Sequence, residues 1–272
     1  MTDPLIIGHR GASAVAPENT LIAFDQAFAA GADGIEFDVQ LALDGVPVVI
    51  HDSTLKRTGL RRDSVAKLTS KDLGRVDVGS WFNLRFPRRA RAEYPNARVP
   101  TLANVFERFG DGQAVFYVEL KFASKQSSSP AKQVAGLIDK YDIRARAVVV
   151  SFSLEAIREI KDIDPSIRTG ALFEPRLTRP FPATQSVLAR AIRYDADEVL
   201  WHRSMASAAA IEQTNLNGLA PTVWTADRTQ WIARAQRDGI HAIITNEPER
   251  LILARDQLTT DRIYTRSTTS KS

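Results

Sequence analysis

Short apolar, β-branched runs recur along the chain at Leu5–His9, Gly34–Leu41, Val115–Leu120, Ala147–Phe152, Ile167–Phe173, Glu198–Trp201, Thr222–Thr225 and Ala242–Thr245. Between most of them, apolar residues repeat at helical spacing: Thr20–Ala30, Ala131–Lys140, Leu154–Ile163, Ala183–Tyr194, Met205–Asn217, Thr229–Asp238 and Glu249–Leu258. Alternation of this kind predicts a parallel sheet covered by helices. Eight such units in roughly 250 residues favour closure into a (β/α)8 TIM barrel over an open doubly wound sheet. Helix punctuation agrees. Asn19 or Thr20 is placed to cap the first helix, Gly31 to end it, and Pro248 to open the last.

Two regions break the rhythm. After the second strand come a further run, Val46–Ile50, a segment crowded with arginine, and a helix near Thr101–Arg108. Residues of about 45–100 therefore read as a subdomain inserted between a barrel strand and its helix, within a barrel spanning 1–258. The remainder, 259–272, is polar, lacks apolar periodicity and is expected to be a disordered tail.

Composition narrows the class. A chain of 272 residues, 44% apolar and 25% charged, is long enough and apolar enough to bury a large core. The absence of cysteine excludes disulfides, thiolate metal sites and cysteine nucleophiles. No apolar run approaches the ~20 residues of a membrane span, so stable membrane insertion is not expected. The opening MTDPLIIGHRG has no basic leader region, and the expected location is cytoplasmic. Net charge is +4, but residues 53–100 hold 12 basic and 4 acidic side chains, a basic insert in a mildly acidic body. No nucleic-acid-binding motif accompanies that charge, and nucleic acid is not an expected partner. Oligomeric state is not legible.

Candidate chemistry gathers at the carboxyl ends of the strands, where barrel active sites lie. His9 and Arg10 end the first strand. Glu36 and Asp38 stand two residues apart on the second and so point the same way, and Glu119 and Lys121 repeat that arrangement on the next barrel strand. His51 closes the Val46–Ile50 run, and Trp224 lies near the end of a later strand. Three carboxylates converging from adjacent strands repel one another unless a cation sits among them, and all-oxygen ligands suit Mg2+ or Ca2+. The competing reading is that Glu36 or Glu119 pairs with Arg10 or Lys121. Two histidines can serve as acid and base, while Arg10 and Lys121 can neutralise phosphate oxygens. Together these groups suit phosphodiester cleavage better than acyl or hydride transfer.

The run GHRGASAVAPENTLIAFDQAFAAGADGIEFDVQLALDGVPVVIHD resembles the signature of the glycerophosphodiester phosphodiesterase family. Further matches follow in order: GSWF at 79–82, VPTLANVFE at 99–107, VELK at 118–121, SFSLEAI at 151–157, VWT at 223–225 and IITNEP at 243–248. The resemblance covers about residues 5–256 and implies a TIM barrel with a small insertion after the second strand. It further implies one divalent cation on Glu36, Asp38 and Glu119, His9 and His51 as the acid–base pair, and Arg10 and Lys121 on phosphate. The implied substrate is a small glycerophosphodiester such as glycerophosphocholine, cleaved to glycerol 3-phosphate and an alcohol. Attack by a glycerol hydroxyl through a cyclic phosphate and direct attack by water both remain open, as does the assignment of acid and base. Alternative readings are a barrel phosphodiesterase acting on lysophospholipids or other phosphodiesters, or a catalytically silent phosphate-binding module.

The chain departs from the family pattern at three places. Asp227 stands where Asn is frequent, Asn246 where Asp is frequent, and His241-Ala242 where Asp-Gly is usual. Asp227 and Asn246 read either as helix N-caps or as a reciprocal exchange between neighbouring strand ends. Glu18 and Asn19 are expected to shape the first loop. His202 is a candidate pocket residue, His241 a structural one. Trp81 and Phe82 either cover substrate or pack the insert, and Phe152, Trp201 and Trp224 either form an aromatic wall or pack the core. Trp224 or Trp201, with Glu174, is a candidate contact for a cationic alcohol such as choline.

Overall fold

The computed structural model describes residues 3–121, 130–175 and 182–269, with side chains described as far as Thr259. Strands β1 (Leu5–His9), β2 (Gly34–Leu41), β3 (Pro47–Val49), β4 (Val115–Leu120), β5 (Ala147–Ser151), β6 (Arg168–Phe173), β7 (Glu198–His202), β8 (Ala220–Trp224) and β9 (Ala242–Thr245) form one sheet. All neighbours are parallel except β3, which lies antiparallel on β2, and β1 pairs with both β2 and β9 to close the barrel. The helices are α1 (Leu21–Ala29), α2 (Ser70–Leu73), α3 (Ser80–Arg85), α4 (Leu102–Phe109), α5 (Ala131–Lys140), α6 (Leu154–Ile163), α7 (Thr184–Arg193), α8 (Ala208–Leu216), α9 (Gln230–Asp238) and α10 (Pro248–Thr269).

Strand alternation sorts the side chains into two layers. Ile7, Tyr117, Val148, Val150, Leu172, Leu200, Ala242 and Ile244 fill the barrel interior. Their neighbours Ile35, Phe37, Val118, Val149, Val199 and Val223 face outward under the helices. At the amino end the interior carries a buried carboxylate whose ion-pair partner is 38% exposed. Glu198 is fully buried, paired with Arg168 and held by the hydroxyls of Tyr117 (3.0 Å) and Thr222 (2.8 Å). Polar ties replace the water this carboxylate would otherwise need.

The connection from β2 to α4 holds the insert, with a core of its own around Val48, Leu55, Leu73, Val76 and Val99. It is fastened to the barrel through Phe82 and Tyr94, which pack with Ala16 and Ala23. Phe82 meets Tyr94 edge-on at 5.5 Å and Phe86 at a tilt of 51° at 4.9 Å, and burial of such a ring is worth ~1.5–3 kcal/mol. Gly79 makes this possible, since a Cβ there would stand 1.7 Å from the Tyr94 carbonyl oxygen.

Of the two caps expected for α1, Thr20 is the one used, its hydroxyl accepting from the Ala23 N–H. The last helix does not stop at Leu258 but runs to Thr269, where a disordered tail was expected. No Gly or Pro falls between those positions, and a helix satisfies its own backbone without a core to pack on. Residues 270–272 lie outside the described residues. Among the described residues, no helix is long and apolar enough to cross a membrane.

Candidate active site

The β1 chain ends in a tight turn that aims three groups into the barrel mouth. His9 continues the inward parity of Ile7, Arg10 takes a left-handed conformation (φ 54°), and Gly11 follows at φ 80°. A side chain at Gly11 would meet the Ala23 backbone at 2.6 Å, so only glycine fits. This turn brings the Arg10 N–H to Glu36 Oε2 (3.1 Å) and its guanidinium to Asp38 (3.1 Å) and Glu18 (2.8 Å).

Register then builds the carboxylate cluster. His9 pairs across the sheet with Glu36, and Asp38 with Glu119, so four inward side chains stand in two successive rows at the barrel mouth. Glu36, Asp38 and Glu119 are all buried, with ligand oxygens within 4.8 Å of one another. Lys121 Nζ contacts Asp38 (2.8 Å) and Glu119 (2.5 Å). Burial, with Asp38 and Glu119 beside it, pushes the Glu36 carboxyl well above the usual range. Burial and the Asp38 charge likewise raise Glu119 to about 7. Burial pushes Asp38 up too, but Arg10 and Lys121 outweigh it and hold this carboxyl far below its usual value. Three buried oxygen donors, two of them reluctant to ionise, can hold a hard divalent cation, which removes the repulsion that raises them.

Each histidine is tied through one nitrogen. His9 Nδ1 lies 2.7 Å from Asn246 Oδ1. The Asn246 amide is fixed by Asp227, which accepts from its Nδ2 (3.0 Å) and backbone N–H (2.8 Å) and from the Thr245 hydroxyl (3.0 Å). Asn246 therefore presents its oxygen, Nδ1 of His9 is the donor, and Nε2 is left free, 3.8 Å from Glu36. Burial and the neighbouring Arg10 lower His9 to about 4, so its imidazole is neutral at pH 7. His51 Nδ1 bonds Asp52 (2.6 Å), and the turn that carries it is pinned by the Gln40 amide on the carbonyls of Ile50 and His51 (2.9 Å each). Arg57 closes a polar chain between the two sides, bridging Asp52 (2.8 Å) and Glu18 (2.7 Å).

The mouth is a cavity of about 280 Å³ lined by His9, Arg10, Glu36, His51, Glu119 and Lys121 on one side. Trp224, Phe152, Leu172 and Glu174 line the other. Asp38 sits behind this surface, fully buried, where Asn19 Nδ2 also reaches it (2.7 Å). Trp224 stands edge-on to Phe152 (5.4 Å) and His202 (5.3 Å). Trp201 does not join that wall. Its strand parity is opposite to Leu200, and it packs outward with Phe173, its indole N–H on Thr214 (3.1 Å). His202 bonds Ser204, and His241 lies at the opposite end of the barrel, its backbone paired to Pro221. Phe82 packs the insert, whereas Trp81 lines the cleft outside the mouth.

Asp227 and Asn246 are not helix caps. α9 starts after Thr229 and α10 at Pro248, and the two residues instead bond each other behind His9. Asp52 and Arg57 join the site from outside the candidate set. Adjacency to His51 marks Asp52 in the sequence, while nothing local marks Arg57.

The sequence profile of the glycerophosphoryl diester phosphodiesterase family matches residues 9–250. A glycerophosphodiester phosphodiesterase of Caldanaerobacter subterraneus is 33% identical over 248 residues, 91% of this chain and 96% of the relative. The crystal structure of a glycerophosphodiester phosphodiesterase from Agrobacterium tumefaciens superposes with a TM-score of 0.74 at 30% identity, covering 91% of this chain and 98% of that one. A phosphodiesterase of Oleispira antarctica, solved with the product sn-glycerol-3-phosphate, shares the fold with a TM-score of 0.81 at 24% identity, covering 93% and 97%.

Proposed function

The chain belongs to the glycerophosphoryl diester phosphodiesterase family, and from that premise we propose that it hydrolyses glycerophosphodiesters to glycerol 3-phosphate and an alcohol. Glu36, Asp38 and Glu119 would hold one divalent cation, Mg2+ or Ca2+, which supplies charge stabilisation to the phosphate when bound. Arg10 and Lys121, poised on the same carboxylates, offset the charge of the non-bridging oxygens. His9, neutral and with Nε2 free, accepts the proton of the attacking hydroxyl, from water or from the glycerol itself. The P–O bond to the alcohol breaks as His51, supported through Nδ1 by Asp52, returns a proton to the leaving oxygen. If a glycerol hydroxyl attacks, the cyclic phosphate is opened by water with the two roles exchanged. In this reading the glycerol occupies the mouth beside Phe152 and Trp224, and the alcohol faces outward.

One observation carries this reading: three buried carboxylates within 4.8 Å of one another, flanked by two histidines each tied through Nδ1. The test is glycerol 3-phosphate release from glycerophosphocholine before chelation, after it, and after Mg2+ or Ca2+ is restored. Activity should vanish and return. Full turnover by a verified cation-free sample contradicts the proposal.

A further inference from the structure

Outside the mouth a second cavity of about 690 Å³ opens on the His9 side, sharing His9 and Arg10 with the catalytic pocket. Its outer wall is the insert. On α3, Trp81, Leu84 and Arg85 stand at i, i+3 and i+4 and so share one helical face, and all three line this cleft, while Phe82 turns away into the core. Leu84 is 71% exposed, and Leu60, on the facing loop of the insert, is 57% exposed. Large apolar side chains grouped at such exposure, beside catalytic groups, mark a surface that gains a partner when occupied. Trp81 is held for that task. Its indole N–H bonds the Val78 carbonyl (2.8 Å), and Arg57 lies over its ring at 5.6 Å.

Charge does not select the occupant. Arg10, Arg57 and Arg85 are balanced in the cleft by Glu18, Asp227 and Glu247. The other opening of the mouth, on the His51 side, is walled by polar groups such as Gln40, Ser53, Thr54 and Lys56. A phosphodiester seated at the carboxylates thus has one exit lined by polar side chains alone and one whose outer wall sets Leu60, Trp81, Leu84 and Phe86 among charged groups. Resting on the function proposed above, we propose that the His9-side cleft binds the alcohol half of the substrate, and that this alcohol carries an apolar chain. The occupant is the substrate itself, because the cleft is continuous with the catalytic pocket and another molecule seated there would block entry. The chain belongs to the alcohol rather than the glycerol, since the mouth, about 280 Å³ against about 690 Å³ for the cleft, suits the smaller glycerol end.

The experiment is a series of sn-glycero-3-phospho-n-alkanols from ethyl to octyl, kept below their critical micelle concentrations, with kcat/KM read by glycerol 3-phosphate release. A methylene fully removed from water gains ~0.8 kcal/mol, and a cleft open on one side realises about half, or about twofold per methylene. The octyl-to-ethyl ratio should therefore be about 60-fold. It should fall below about 10-fold in a Leu60→Ser, Leu84→Ser double variant, both of whose positions are exposed, with circular dichroism confirming the fold. Leu216→Ser, equally exposed but lining neither cavity, should leave the ratio unchanged. A ratio near one, or a steep ratio untouched by the double variant, overturns the proposal while leaving the reaction in place. So does a sedimentation coefficient that falls in the double variant at constant ratio, which assigns the leucines to a second copy of the chain. A rate gain from an octanoyl chain on the glycerol overturns it as well. If no member of the series releases glycerol 3-phosphate with the cation present, the function proposed above fails instead.

Discussion

Replacing Glu119 by Gln separates what the carboxylate cluster costs the fold from what it contributes to cation binding. Glu119 is buried, and burial together with Asp38 raises it from 4.5 to about 7 despite Lys121 beside it. A carboxyl whose folded-state value lies above its unfolded one favours the fold below pH 4.5, and that contribution is lost as pH rises through about 7. At about 1.36 kcal/mol per pH unit, ionised Glu119 burdens the cation-free fold by ~3 kcal/mol. Gln has the same shape, keeps an oxygen for Lys121 and carries no charge. In chelator at pH 8, Glu119→Gln should therefore be more stable than the parent by ~1–3 kcal/mol, the lower figure allowing for a weaker Lys121 contact. That is a Tm rise of ~2–10 °C for a chain of this size. At pH 5 the difference should nearly disappear, because the parent's carboxyl is then protonated. Cation reverses the order. At a hundred times its Kd, Mg2+ or Ca2+ adds ~2.7 kcal/mol to the parent and much less to the variant. Urea unfolding followed by circular dichroism at both pH values, with chelator and with cation, reads all four states. A variant less stable than the parent in chelator at pH 8, or one stabilised equally by cation, refutes the reasoning.

His9→Ala and His51→Ala should each lower kcat by ~10²–10⁴ with the fold retained, and a folded His51→Ala protein with near-parental kcat removes the two-histidine mechanism. Asn246→Ala frees the His9 ring to choose either tautomer, so kcat should fall by about tenfold with KM little changed; a KM effect alone assigns Asn246 to substrate. Arg85 lines the cleft and Arg88 has no carboxylate partner among the described residues, so Arg85→Gln, Arg88→Gln should flatten the fall of kcat/KM with ionic strength for doubly anionic diesters. Arg89, held on the Ala14 carbonyl, is left in place, and an unchanged salt profile assigns Arg85 and Arg88 to solubility.

The barrel was legible because its strands carry a strong period. In GIEFDVQL the apolar residues 35, 37 and 39 face the helices, which leaves Glu36, Asp38 and Gln40 facing in. The same parity rule, applied to β7, places Trp201 outside once Leu200 is known to be inside, and a list of strand-end aromatics ignores it. β8 begins at Ala220 rather than Thr222 because Pro221 sits near the strand start and still accepts from the His241 N–H. Asp227 and Asn246 resembled caps because they precede helices, but each helix starts two or three residues later, and the intervening backbone turns both side chains toward His9. Arg57 was not legible at all. It reaches Glu18, 39 positions earlier, only because the insert folds back over the mouth.

The most direct measurement of the central claim is 31P NMR of the protein with glycerophosphocholine in H2(18)O, first in chelator and then with Mg2+ or Ca2+ restored. The diester resonance should persist in chelator. After cation is added it should give way to glycerol 3-phosphate bearing one (18)O on phosphorus, with unlabelled choline released. Turnover in chelator, (18)O in the choline, or phosphocholine as the product contradicts the account.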